Sequence, residues 1–163
     1  MSFIRPLLKI RNSQQQIRYL VARTMATEMQ FTFAAPGQVF YNQVKTVKQV
    51  DVPSLSGSFG ILANHVPTLA VLKPGVVTVT ENEGAVKKFF VSSGSVSVNE
   101  DSSVQLLAEE AYPLEHLDLK SAQEQLSEAQ RNLSSASDEK DKALAQISVE
   151  TAEAVVRAIQ TGI

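Results

Sequence analysis

The sequence contains no cysteine and no tryptophan, and its only histidines are His65 and His116. Without a thiol there is no disulfide, no thiolate nucleophile and no cysteine-ligated zinc or iron–sulfur centre. His65 has no second ligand at helical or strand spacing, and no metal site is expected. No apolar run is long enough for a membrane helix. The phosphate-binding and hydrolase signatures are missing as well. Lys45-Thr46 and Lys120-Ser121 lack the glycine a P-loop needs before them, and Gly57-Ser58-Phe59-Gly60 lacks the third glycine and following helix of a dinucleotide loop. Gly94-Ser95 has no Gly-x-Ser-x-Gly frame. The carboxylates are scattered over turns and helix surfaces. Catalysis and cofactor binding are therefore not expected. Asn132-Leu133-Ser134 matches a glycosylation sequon by chance, inside a helical segment.

Acids are absent from residues 1–27, which hold Arg5, Lys9, Arg11, Arg18 and Arg23. This Arg-rich segment, with scattered serines and apolar residues, has the composition of a mitochondrial transit peptide, and cleavage is expected between Thr24 and Glu28. Beyond it, ten basic residues face all seventeen acids, a charge of −7. Such a domain has no basic patch to hold nucleic acid.

What is present falls into two halves of different period, an α+β chain. From Met29 to about Ala111 the pattern is β. Residues 29–33 alternate, residues 39–50 read as one long strand or a hairpin, and 75–80 and 86–91 flank the turn Glu81-Asn82-Glu83-Gly84. Residues 94–98 and 103–108 follow, joined by Asn99-Glu100-Asp101. Short strands at this spacing predict an antiparallel β-sandwich over 28–112. After Pro113 the period becomes helical. Asp118 is placed to cap a helix with Leu119, Ala122, Leu126, Ala129 and Leu133 on one stripe. Ser134-Ser135-Ala136-Ser137 breaks the chain, and a second stripe follows at Leu144, Ile147, Thr151, Val155, Ala158 and Ile159. A linker and antiparallel two-helix hairpin are expected over 113–163, marginal alone and leaning on the sandwich or a partner.

One stretch resists a plain strand or helix reading. Residues 52–72 carry no charge, in a chain that is 20% charged, and are interrupted by Pro53, Gly57, Gly60 and Pro67. A sheet corner, an active-site loop and a docking surface are the alternatives. His65 within it is best read as bridging loop backbone groups before Pro67, and His116 as structural or exposed.

The run 57–67 (Gly-Ser-Phe-Gly-Ile-Leu-Ala-Asn-His-Val-Pro), followed by Leu72-Lys73-Pro74-Gly75-Val76-Val77, resembles the signature of the central-stalk delta/epsilon subunits of F-type ATP synthases. Phe33-Ala34-Ala35-Pro36, Phe89-Phe90-Val91-Ser92-Ser93-Gly94 and the two-helix tail extend the resemblance over residues 29–160. It implies a non-catalytic rotor subunit on the matrix side of the mitochondrial inner membrane. There it would join the gamma subunit to the membrane c-ring, couple proton-driven rotation to ATP synthesis, and also meet a small epsilon subunit. It implies that Tyr41, Asn42, Gly57, Ser58, Phe59, Gly60, Leu62, Asn64 and His65 lie in loops facing the c-ring, making the uncharged stretch a docking surface. One departure matters. Relatives that bind ATP carry an Arg where this chain has Ser121, in Leu117-Asp118-Leu119-Lys120-Ser121-Ala122, so no specific ATP binding is expected. The second helix is acidic, with Asp138, Glu139, Asp141, Glu150 and Glu153 against Lys140, Lys142 and Arg157, unlike a basic inhibitory arm. The alternative is a matrix adaptor or ligand-binding β-sandwich whose hairpin recruits a protein.

Overall fold

The computed structural model describes residues 28–162; residues 1–27, where a transit peptide is expected, lie outside them. Ten strands come first: β1 (Gln30–Ala35), β2 (Gln38–Val44), β3 (Val47–Ser54), β4 (Gly57–Leu62), β5 (Thr68–Leu72), β6 (Gly75–Glu81), β7 (Val86–Val91), β8 (Gly94–Val98), β9 (Ser103–Ala108) and β10 (Ala111–Pro113). A single 3-10 turn (Leu114–His116) leads to helices α1 (Leu119–Ser135) and α2 (Glu139–Thr161).

The strands form two layers. One runs β10-β7-β6-β3, with β4 on the free side of β3; the other runs β5-β8-β9-β1-β2. They join at one corner, where Ser54 pairs with Leu72. Alternation turns Phe31, Phe33, Val96, Val98, Val104 and Leu106 of one layer against Val50, Val52, Val77, Val79, Phe89 and Val91 of the other. The aromatic rings lock the layers together: Phe89 meets Phe33 edge-on with centroids 5.2 Å apart, and Phe40 at 5.0 Å. The sandwich and helical pair agree with the sequence reading. Within the otherwise antiparallel pairing, β1 and β9 run parallel.

Two local expectations are corrected. Residues 39–50 are neither one strand nor a hairpin: β2 and β3 belong to different layers and the chain crosses over at Lys45-Thr46. Asn82 holds this crossover, its backbone N–H donating to Thr46 O (2.7 Å) and its Nδ2 to Lys45 O (3.2 Å). The residues of the uncharged stretch expected in loops are not all in loops either. It comprises the end of β3, all of β4 and β5, and the turns between them. Glycine and proline there mark a sheet corner, not irregular chain.

On β7, Phe89, Phe90 and Val91 are buried in succession, which a strand achieves only when both faces are covered. Phe89 and Val91 face the sandwich core. Phe90 faces outward, sharing a row with Val76 and Tyr112, on the side where α2 crosses β6.

Candidate functional site

The residues of the uncharged stretch separate along β4. At one end the β3–β4 turn is framed by Ser54, whose buried hydroxyl donates to Gly57 O at 2.6 Å and lies 2.9 Å from Ser56 Oγ. Gly57 has φ +126°, a conformation open to glycine. Leu55 stands exposed at the tip. At the opposite end, the turn after β4 is held by His65, whose N–H donates to Leu62 O (3.1 Å) and whose Nδ1 donates to Val66 O (2.9 Å). Asn64 takes φ +62° and accepts from the Ser102 hydroxyl at 3.3 Å. His65 thus bridges backbone groups before Pro67, as its sequence context suggests. Its ring lies 6.0 Å from that of Phe59, so these two are brought together. Gly60 sits mid-strand, where a Cβ would come within 2.7 Å of Asp51 Oδ1, which accepts from Gln49 Nε2 (2.7 Å) across that gap.

Tyr41 and Asn42 are not beside this stretch. They lie on β2, in the other layer. Tyr41 is buried on Phe31 and Phe89, and its hydroxyl donates to Glu81 Oε1 at 3.2 Å. Lys87 Nζ donates to the same oxygen at 2.8 Å and lies 5.6 Å from the Tyr41 ring centroid. Burial pushes the Tyr41 phenol up, despite Lys87; the Lys87 hydrogen bond holds Glu81 below the ordinary carboxylate range; Glu81 in turn raises Lys87. This cluster closes the end of the sandwich and has the form of a structural contact. The nine residues singled out from the sequence therefore occupy two ends of the sandwich and both layers.

A surface that residue-by-residue reading did not find is the outer face of the second layer. Strand register aligns Leu69, Ser97, Gln105 and Thr32 in one row, and Val71, Ser95, Leu107, Ala34 and Val39 in the next. Neither row holds a charge. Val39, Leu69, Val71 and Leu107 are all more than half exposed, Leu69 at 79%. The signal was in the alternation of β5, β8 and β9, where one face is apolar and the other only weakly polar; it emerges only once register sets the strands side by side.

The hairpin bares a second apolar surface. On α2 the stripe predicted from sequence exists, and Ala158 on it is fully buried, yet Leu144 and Ile147 on the same stripe are exposed. Val149, on a neighbouring stripe with Ala152 and Val156, is buried. Beside Ile147, Thr151 and Val155 a shallow groove runs between the helices, with Ala129 and Asn132 on its other wall. At the start of α1, Asp118 Oδ2 accepts from both the backbone N–H and the hydroxyl of Ser121, each at 2.8 Å. These bonds hold the Asp118 carboxyl below its ordinary range. Ser121 is thus committed to the helix cap. No cluster of metal-ligating side chains occurs among the described residues.

Comparison with known proteins gives this geometry a context. Residues 28–114 match the family model of the ATP synthase delta/epsilon chain β-sandwich domain, and residues 117–158 that of the C-terminal domain of the metazoan delta subunit of F1F0-ATP synthase. A mitochondrial ATP synthase subunit delta of Caenorhabditis elegans is 54% identical over 132 residues, covering 80% of this chain and 79% of the relative. That of Yarrowia lipolytica is 44% identical over 128 residues, covering 78% of each. Among solved structures, a chain of the Euglena gracilis mitochondrial ATP synthase, in its OSCP/F1/c-ring portion, superposes with a TM-score of 0.74 at 26% identity, over 82% of both chains. One from the central stalk and c-ring of the Tetrahymena thermophila enzyme (TM-score 0.66, 16% identity, 81% of this chain and 96% of that one) shares the fold.

Proposed function

The chain belongs to the delta/epsilon family of ATP synthase subunits, as a non-catalytic, matrix-side component of the mitochondrial enzyme, and from this premise we propose how its surfaces are assigned within the central stalk. The charge-free outer face of the second layer docks the gamma subunit. The observation that carries this assignment is the pair of uncharged rows with Leu69, Val71 and Leu107 standing exposed. A face without charge loses little by desolvation and gains from every apolar contact, at roughly 25 cal/mol per Å². The Leu55–Ser58 end of the sandwich meets the loops of the c-ring, where uncharged backbone held by Ser54 approaches polar partners without a stranded charge. Phe59 and Gly60 lead away from that contact along β4, Leu62, Asn64 and His65 stand at the far end of the strand, and Tyr41 and Asn42 lie in the opposite layer. The bare half of the α2 stripe, at Leu144 and Ile147, receives the small epsilon subunit. In this arrangement the sandwich transmits ring rotation to gamma, and no residue of the chain reacts with ATP.

The test is co-recovery from a mild-detergent mitochondrial extract with tagged residues 25–163. The double substitution Leu69→Glu and Leu107→Glu should leave the isolated chain folded and cut gamma recovery at least tenfold, because charges would be buried unpaired. Gamma retained at the unmodified level would overturn the assignment of this face.

A further inference from the structure

We propose that Lys88 is the clasp that sets the position of the helical hairpin on the sandwich. Lys88 lies on β7, in the outward row beside that of Phe90, and its Nζ donates to Gly162 O at 2.9 Å, joining positions 74 residues apart. Gly162 ends α2 in the left-handed region (φ +69°), with its N–H donating to Ala158 O at 2.8 Å. A helix C-terminus presents carbonyls without intrahelical partners and a partial negative charge, so an ammonium there meets both a hydrogen-bond acceptor and a favourable field. A Cβ on residue 162 would come 2.9 Å from the Lys88 nitrogen. The left-handed backbone favours glycine at this position, and the 2.9 Å approach shows how closely the lysine tip is held over the helix end.

The clasp matters because the hairpin's seat is small. Ala158 is fully buried and Phe90 is 5% exposed, whereas the same α2 stripe is bare at Leu144 and Ile147. On the sheet α2 is therefore anchored near its C-terminal end, and the rest of the hairpin is oriented from that anchor. Phe90 and Ala158 supply contact without direction, since apolar packing is non-directional. The lysine–carbonyl bond supplies direction and fixes the angle at which the bare half of the stripe is presented.

The chain has no cysteine, so a single introduced thiol reports undocking cleanly. In an Ala158→Cys background, the rate of thiol modification follows the fraction of time α2 is off the sheet. Adding Lys88→Ala should raise that rate roughly two- to fivefold, the range expected for one cation at a helix C-terminus. Lys88→Arg should leave it unchanged and Lys88→Glu should raise it further. Val76→Cys, on the outward row of β6, is the second probe if Ala158→Cys does not fold. An unchanged rate in Lys88→Ala, or Lys88→Arg as fast as Lys88→Ala, would overturn the proposal.

Discussion

The two layers of the sandwich treat their outer faces in opposite ways. The first layer carries Lys88 and Asp51 on its outer rows and is crossed by α2, with Phe90 buried beneath. The second carries no charge on the rows through Leu69 and Val71, and nothing among the described residues covers it. A lone soluble protein would be expected to do the reverse, placing charge where water meets the sheet. The difference is what the proposed assignment calls for: the first face completed by α2, the second left for another subunit. Burial on the first face should appear in the stability of the isolated protein, and on the second in assembly.

The largest effect is expected where the bare layer holds itself together. Gly94 begins β8 with φ +153°, and a Cβ there would collide with the carbonyl oxygen of Leu107 on β9. Gly94→Ala should cost about 3 kcal/mol or more in urea unfolding, by strain and by prising β8 from β9. A variant within 1 kcal/mol of the parent would mean that the two strands pair less closely in solution. Next comes the direct contrast between the faces. Phe90→Ala should destabilise the isolated chain by about 3 kcal/mol, as for a buried aromatic. Leu69→Ala, on the bare face, should change it by no more than about 0.5 kcal/mol. Similar losses at both positions would break the comparison.

The sequence made the fold legible through its two periods, and Asp118 as the α1 cap needed only the residues around it. It failed where the answer depended on neighbours distant in the chain. Residues 39–50 have uniform strand chemistry, and nothing in them shows that the chain leaves one layer for the other at Lys45-Thr46; the fixing residue, Asn82, lies far along the chain. The run 57–67 was legible as a special segment, but its residues were expected in loops on one side, whereas β4 carries Gly57–Leu62 as a strand and sets His65 at its far end. Leu144 and Ile147 were legible as an apolar stripe, while their exposure depends on where the sheet contact stops. The charge-free face needed the register of five strands before it could be seen at all.

The covered face also depends on how α1 begins. Removing the Asp118 cap by Asp118→Ala strips acceptors from the Ser121 backbone N–H and hydroxyl and should cost about 1 kcal/mol. The loss should show first in the hairpin's helical signal, leaving the sandwich transition in place.

The smallest effect lies on neither face, at the end of the sandwich where Glu81 accepts from Lys87 and Tyr41. Glu81 titrates below its ordinary range because the ionised form is the one Lys87 stabilises. Its contribution is therefore complete above roughly pH 4.3, the ordinary glutamate value, and fades as the pH falls through the lower folded-state value. Lys87 and Tyr41 are shifted upward, so their contributions run the other way, present at neutral pH and lost as the solution becomes strongly alkaline. Lys87 is half exposed, which limits the pair to under about 1 kcal/mol. Stability curves of the parent chain and Glu81→Gln should accordingly stay a constant distance apart near neutrality and converge in acid. Because this cluster touches neither outer face, gamma recovery should be the same for both proteins. Curves that remained parallel into acid would show that the Lys87 contact does not form in solution, and a change in gamma recovery would show that the docking surface extends round the edge of β2.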